Sequence, residues 1–242
     1  MTSTTTKPQG EIDHANAVHE MFCGIATKYD FLNHFLSINI DKIWRRKVSK
    51  SLKEFLLRPD AKVLDVACGT GDLSIELKTY GKASVIGTDF CYPMLEIAKN
   101  KTEKLREDIP YLEADGLNLS FADESFDAVS IAFGLRNFSN WENGLIELRR
   151  VLKKGGKLSI LEFSSPLVPG FKQAFNFYFA NILPRIGGLV SGSRGAYEYL
   201  PDSVSKFPDQ KELKHMMGQI GFSDVRYKNL TGGIAAIHTG TK

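Results

Sequence analysis

From Lys62 onward, short apolar runs alternate with amphipathic segments, and this rhythm restricts the fold more than any other feature of the chain. Val63 to Ala67 precedes a helical stretch over Leu73 to Leu77, and Ser84 to Thr88 precedes another over Met94 to Leu105. Apolar strands separated by helices are the signature of βαβ units, which build a parallel sheet covered by helices. The alternation continues with Phe126 to Phe133 as a buried strand, a helix with Trp141, Leu145, Leu148 and Leu152 on one face, and Leu158 to Phe163 as a further strand. Between the last two, Lys153-Lys154-Gly155-Gly156 is expected to place cations at the helix end and stop it with glycine. The rhythm fails from Ser164 to Pro208, an aromatic-rich insertion, and resumes with a helix around Gln210 to Ile220 and strands over Phe222 to Leu230 and Ile234 to Thr239. Upstream, Val18, Met21, Phe22 and Ile25, then Trp44, Val48, Leu52 and Phe55, recur at helical spacing and predict two amphipathic helices before the first strand.

A chain of 242 residues fits one large domain. The expected organisation is a disordered Thr-, Ser- and Pro-containing tail over 1–10, then one domain over 11–242 with N-terminal helices (11–58) and a lid-like insertion (164–208). A net charge of +3 is too small to argue for a nucleic-acid partner. No stretch reaches the roughly 18 uninterrupted apolar residues of a transmembrane helix, because Lys172, Asn176, Asn181, Pro184 and Arg185 break the nearest candidate, Leu167 to Val190. Cys23, Cys68 and Cys91 have neither CxxC spacing nor histidine neighbours, so neither a disulfide framework nor a metal site is expected, and a reducing cytoplasm fits best.

The first strand runs into Ala67-Cys68-Gly69-Thr70-Gly71-Asp72, then a helix. Glycines there let the backbone turn sharply and approach a ligand at the carboxyl ends of parallel strands. A dinucleotide fingerprint needs a third glycine where Ser74 stands, and Asp72 sets a carboxylate where a pyrophosphate belongs, so a nicotinamide cofactor is disfavoured. S-adenosylmethionine has no phosphate and carries two cationic groups, a sulfonium and an amine, which suits acidic strand ends. Asp65 lies on the first strand, Asp89 at the end of the second, placed to accept from the ribose hydroxyls, and Asp115-Gly116 after the third, placed to bracket an adenine. Singly, each aspartate is as well explained by a backbone cap or a plain turn; together they favour a cofactor site.

Val63 through Leu77, Phe133-Gly134-Leu135-Arg136-Asn137, and Arg150-Val151-Leu152-Lys153-Lys154-Gly155-Gly156 through Leu161-Glu162-Phe163-Ser164 resemble the ubiquinone/menaquinone biosynthesis C-methyltransferases. So do Tyr29-Asp30 through Asn33, Ser37 and Trp44, and Tyr197-Glu198-Tyr199-Leu200 through Phe207-Pro208 with Gly232-Gly233 through His238. The resemblance spans roughly residues 18 to 242 and implies an α/β class I S-adenosylmethionine-dependent methyltransferase (Rossmann-like) fold: a central, mostly parallel seven-stranded sheet with helices on both faces. Departures are Leu32 for Met, Asp41 for His, Lys154 for Pro, and Ala132 where some members place a cofactor-contacting serine. Asp41 leaves no catalytic histidine at that point, and Ala132 removes one side-chain hydrogen bond.

The reaction the resemblance implies moves a methyl group to a ring carbon of a reduced, polyprenylated demethylquinone, a demethylmenaquinol in preference to a methoxy-benzoquinol. The partners are then a lipid quinol and, transiently, a membrane surface, with the protein cytoplasmic or peripheral at the inner face of the plasma membrane. Stabilising a phenolate is the main electrostatic need, and Arg136 after the fourth strand is the candidate, always protonated and so not itself a base. A water held by Arg136 and Asn137 is the candidate proton relay; the competing use of Arg136 is a salt bridge to a helix carboxylate. Tyr29, Phe133, Tyr199 and His238 are candidate quinone-pocket residues, though a buried tyrosine or histidine with a satisfied hydrogen bond is the commoner case. Phe171, Phe175, Phe177, Tyr178 and Phe179, with Pro184 and Gly187-Gly188, suit a mobile lid that receives the tail; ordinary core or a homodimer contact competes. A nicotinamide oxidoreductase, a noncatalytic scaffold and an RNA or small-metabolite methyltransferase remain the rival classes.

Overall fold

The computed structural model describes residues 8–36, 39–166, 173 and 194–242, and of 28–36 and 194–198 the backbone alone. Strands β1 (Lys62–Val66), β2 (Ser84–Asp89), β3 (Tyr111–Glu113), β4 (Phe126–Ala132), β5 (Leu152–Phe163), β6 (Ser223–Leu230) and β7 (Ala235–Thr241) form one sheet in the order β3-β2-β1-β4-β5-β7-β6. All neighbours are parallel except β7, which runs antiparallel to both β5 and β6. The expected mostly parallel, seven-stranded sheet is therefore observed. Strand order reverses between β1 and β4, and in such sheets the crevice beyond the carboxyl ends at the switch point is where ligands bind.

Side chains alternate across the sheet, so each face has its own core. Val63, Val85, Ala128 and Leu161 pack with Trp44, Val48, Leu52 and Leu77 on one face. Leu64, Val129, Ile131 and Leu158 pack with Leu145, Leu148, Leu213 and Met217 on the other. The first layer comes from α2 (Ile40–Ser51), α3 (Lys53–Leu56) and α4 (Asp72–Tyr80), the second from α6 (Trp141–Val151) and α8 (Gln210–Gln219). Helix α5 (Tyr92–Lys104) packs on β2 and β3, and α1 (Gln9–Leu36) touches both α5 and α7 (Arg194–Lys206). The α1 helix begins inside the stretch expected to be a disordered tail, because the Pro8 carbonyl accepts from the Glu11 amide (3.0 Å) and the Ile12 amide (3.3 Å).

Two sequence expectations change. Leu152 is not on the α6 face: its backbone is extended (φ −71°, ψ 137°), and α6 passes directly into β5. The Lys153 to Gly156 segment forms a bulge in β5, with Gly155 at φ +75° donating to the Lys242 carbonyl at 2.9 Å. Lys153 pairs with Asp127 at 2.9 Å and so does not cap the helix.

His238, expected in the quinone pocket, sits on β7 between α8 and Tyr227, 2% exposed, and lines neither of the cavities described below. Its Nε2 donates to the Gln210 carbonyl (2.9 Å), which fixes the tautomer and leaves Nδ1 an acceptor with no partner among the described residues. Burial, opposed by the Gln210 carbonyl, lowers its pKa to about 4 from 6.5. The unfolded chain binds this proton near pH 6.5 and the native chain does not, so stability present above pH 6.5 is lost as pH falls toward 4. Relative to a His238→Gln variant, the native chain should lose roughly 3 kcal/mol across that window. Urea unfolding of both proteins at pH 7 and pH 4.5 measures it, and parallel pH dependences would show that His238 is not held neutral.

Candidate active site

The glycine turn leaves β1 at Val66 and holds positive φ at Ala67 (50°), Gly69 (56°) and Gly71 (81°). Gly71 caps α4, and a Cβ there would stand 2.6 Å from the Tyr111 hydroxyl, so both conformation and space demand glycine. The turn is tied to β2 at two points: Cys68 N donates to Thr88 O (2.9 Å), and Gly69 N donates to Asp89 Oδ2 (2.8 Å). Asp89 Oδ1 accepts from Cys91 N at 2.9 Å. Burial raises the Asp89 pKa, and the amides of Cys91, Gly69 and Phe90 oppose that rise.

Asp65, Thr70 and Gly71, expected to touch the cofactor, stand behind the turn and do not line the cavity. Asp65 is 1% exposed and accepts from Ser74 Oγ (2.6 Å) and Ser130 Oγ (2.8 Å), bracing β1 against α4 and β4. Ser74, where a dinucleotide fingerprint would need glycine, is thus the partner that braces it. Thr70 is buried and accepts from Lys101 Nζ at 3.4 Å. Lys101 also pairs with Asp72, which lies 3.6 Å from the Arg45 guanidinium, and Arg45 pairs in turn with Asp41. The aspartate that replaces the family's histidine is therefore part of a buried charge chain between α2 and α4.

Gly69, Asp89, Asp115, Gly116, Ala132, Phe133 and Asn137 converge on one cavity of about 730 Å³. That volume lies in the usual small-ligand range of roughly 300–1,000 Å³. Gly116 is needed because a Cβ there would collide with the Phe138 ring, itself part of the wall. S-adenosylmethionine fits the donor set: a carboxylate offers about four acceptor directions, more than the three backbone amides at Asp89 use, leaving capacity for a ribose hydroxyl. Glu113 and Asp115 add negative charge, which suits a cation and opposes a pyrophosphate. Sequence reasoning missed the wall that α1 supplies, Ala15, Asn16, Val18, His19 and Phe22, and also Phe90, Met94, Leu117 and Ser120. Val18 and Phe22 showed as an apolar stripe, but nothing in the stripe says what it covers.

A 3-10 turn over Leu135–Asn137 follows β4. Phe133 enters it at φ 57° and donates its amide to Leu161 O at 2.8 Å. Arg136 is 7% exposed; its Nη1 donates to Glu162 Oε2 (2.9 Å) and to the Phe133 carbonyl, and its guanidinium lies 5.3 Å from the Phe163 ring centre and 5.9 Å from that of Phe133. The salt bridge expected as an alternative exists, but to a strand residue. Asn137 Nδ2 donates to Phe133 O (3.2 Å), and its Oδ1 accepts from the Tyr199 hydroxyl (3.2 Å). Desolvation raises the Tyr199 pKa, keeping the phenol protonated.

Arg136 and Tyr199 line a second cavity of about 1,210 Å³, between α1 and α7. Val18, Phe138 and Ser139 belong to both cavities, so the two adjoin at this turn. The side chain of Tyr29, and the lid aromatics from Phe171 to Phe179 with Pro184 and Gly187-Gly188, lie outside the described residues.

Cys23 and Cys91, expected to be separate thiols, are bonded across α1 and the N-terminus of α5, with Cα atoms 5.7 Å apart. Their separation of 68 residues hides a contact made only by tertiary packing. Burial and the nearby Asp89 and Asp65 push the Cys68 thiol well up, which makes it a poor nucleophile.

The model of the ubiE/COQ5 methyltransferase family matches residues 10–242. The chain belongs to that family. The demethylmenaquinone methyltransferase of Deinococcus radiodurans is 46% identical, over 100% of both chains. That of Thermus thermophilus is 48% identical over 92% of this chain and 100% of its own. A crystal structure from Thermotoga maritima, a methyltransferase described as a possible histamine N-methyltransferase, superposes with a TM-score of 0.66 at 19% identity, covering 93% of this chain and 99% of that one. At that identity the likeness establishes the fold alone. For a ubiE/COQ5 methyltransferase, the Asp65 brace is the part of the site most open to a stability test.

Burial, opposed by the Ser74 and Ser130 hydroxyls, raises the Asp65 pKa to about 6 from 3.8. The native chain then keeps a proton that the unfolded chain releases, so its contribution to stability is full below pH 3.8 and lost as pH rises through 6. Against an Asp65→Asn variant, the native chain should lose up to roughly 3 kcal/mol between pH 4 and pH 7. A difference between the two proteins that stays constant over that range, in denaturant unfolding, would contradict the assignment.

Proposed function

We infer that this chain transfers the methyl group of S-adenosylmethionine to a ring carbon of a polyprenylated demethylmenaquinol, forming menaquinol. The observation that carries this reading is the junction of a cavity fitted to a cationic adenosyl ligand, with Asn137 in its wall, and a second, larger cavity at Arg136 and Tyr199. Identity over the whole chain with proteins named demethylmenaquinone methyltransferase supports the choice of acceptor. The cofactor supplies a methyl group already activated by its sulfonium. In the transfer one S–C bond breaks, one C–C bond forms, and the ring carbon loses a proton.

The protein's part is alignment, exclusion of water and electrostatic support. Asp89 holds the ribose end, with Asp115 and Gly116 beside it in the wall. Phe133 and Phe138 close the space around the reacting groups. Arg136 faces the ring oxygen whose negative charge pushes electron density toward the attacked carbon, a fixed charge that needs no rearrangement. Tyr199 and Asn137, bonded to one another, border the ring. The insertion over 164–208 receives the prenyl tail during a transient contact with the inner face of the plasma membrane. Among the described residues no helix is long and apolar enough to cross a membrane, which accords with a surface encounter.

A second reading, methylation of a methoxy-polyprenyl-benzoquinol, is favoured by relatives carrying the double name ubiquinone/menaquinone biosynthesis C-methyltransferase, among them one from a Geobacter species at 46% identity. Mass spectrometry of quinones from cells lacking this protein separates the two: accumulated demethylmenaquinone supports the first, an accumulated benzoquinone precursor the second. Arg136→Ala should lower kcat about 100- to 1,000-fold and leave cofactor affinity unchanged, while Asp89→Ala should weaken cofactor binding at least tenfold. Steady-state kinetics with calorimetric titration of the cofactor distinguish these losses, and an unimpaired Arg136→Ala enzyme would remove the guanidinium from the reaction.

A further inference from the structure

Glu162 belongs to the Leu161-Glu162-Phe163-Ser164 segment, and the chemistry above does not use it. It stands at the carboxyl end of β5 and is 1% exposed. Its carboxylate accepts three hydrogen bonds, and two come from Arg136: the backbone amide to Oε1 (3.1 Å) and Nη1 to Oε2 (2.9 Å). The third is the Phe163 amide, to Oε2 at 3.1 Å. One side chain therefore grips both the main chain and the guanidinium of the residue that faces the acceptor cavity. The rings of Phe133 and Phe163 flank the same guanidinium.

The grip is one-sided. Nη1 is committed to Glu162 and the Phe133 carbonyl, whereas Nε, also buried, has no acceptor among the described residues. Nε is shut off from the cavity, whereas Nη2 is not among the buried unpartnered atoms and is the part of the guanidinium left for a ligand in the second cavity, which Arg136 lines.

We propose that Glu162 is the positioning residue of the transfer site: it anchors Arg136 through Nη1 and the main chain, so that the rest of the guanidinium is presented, pre-oriented, to the acceptor's ring oxygen. The idea rests on the role given to Arg136 above. Glu162 touches neither ligand; it acts by holding the cation in register and by balancing its charge before the acceptor arrives. A buried arginine without that carboxylate would be an uncompensated charge, and breaking such a pair from one side is strongly unfavourable.

The test is Glu162→Gln in the full chain, with rates referred to the concentration of cofactor-binding sites so that misfolded protein does not count. Glutamine keeps the shape and one acceptor but removes the charge and sets an amide against Nη1. The expected result is a kcat at least tenfold lower, with cofactor Kd and acceptor KM within threefold of the native values, and no further loss when Glu162→Gln is added to Arg136→Ala. An unchanged kcat overturns the proposal. So does a loss that multiplies with that of Arg136→Ala, since Glu162 would then act independently of the arginine. If the glutamine variant does not fold, Glu162→Asp, charged but one methylene too short, takes its place with the same outcomes. Full activity in Arg136→Ala alone removes the reading of Arg136 and this one with it; an impaired Arg136→Ala beside an unimpaired Glu162→Gln removes only the present inference.

Discussion

The carboxylate of Asp89 takes the Gly69 amide with one oxygen and the Cys91 amide with the other, so one buried charge fixes the turn after β1 relative to the N-terminus of α5. Both segments border the cavity. Backbone amides stabilise the ionised form, yet burial opposes it, and the group rests between these tendencies. On the proposed reading, a cationic ligand entering the cavity would shift that balance toward the charged form and so couple cofactor binding to the shape of the turn.

The strands were legible because β1 and β4 are buried on both faces and appear as short, mostly apolar runs interrupted only by Asp65, Asp127 and Ser130 after Lys62. The family resemblance implied a mostly parallel seven-stranded sheet, but neither the strand order nor the antiparallel insertion of β7 was foreseen, since hydrophobic period says nothing of lateral neighbours. The cavity was legible where residues sit at strand ends, as with Asp89, Asp115 and Phe133. It was misjudged where a strand residue points into the sheet's packing, as with Asp65, and where a polar residue near the chain's end meets a helix, as with His238. What α1 covers was beyond reach, because an amphipathic stripe encodes burial and not the identity of its partner. The Asp209 to Glu212 capping box, by contrast, was a signal available in the sequence and left unused at the start of α8.

Asp41 illustrates how a departure from a family pattern is absorbed. It stands four residues before Arg45, the helical spacing at which opposite charges meet, and the two pair in a buried setting. Arg45 extends the chain of charges to Asp72, and Lys101 completes it from α5. Each member has an opposite charge within reach, so burial does not leave any of these four uncompensated. The chain also joins α2, α4 and α5 behind the glycine turn, supporting from outside what Asp89 fixes from within.

Three buried acids on the strands and the exposed Asp115 just beyond β3 are answered in different ways, and the differences sort their roles. Asp65 is answered by two hydroxyls and faces packed protein. Glu162 is answered by a guanidinium and two amides and faces the residue that borders the second cavity. Asp115 turns one oxygen to the Leu117 amide at 2.9 Å while lining the first cavity. Asp89 is answered by backbone amides alone and also lines that cavity. A hydroxyl or a guanidinium is a side chain that evolution can tune, whereas an amide is fixed by the turn it belongs to. On the proposed reading, Asp89, buried and hydrogen-bonded by backbone amides while lining the cavity, is the acid that would meet the cofactor.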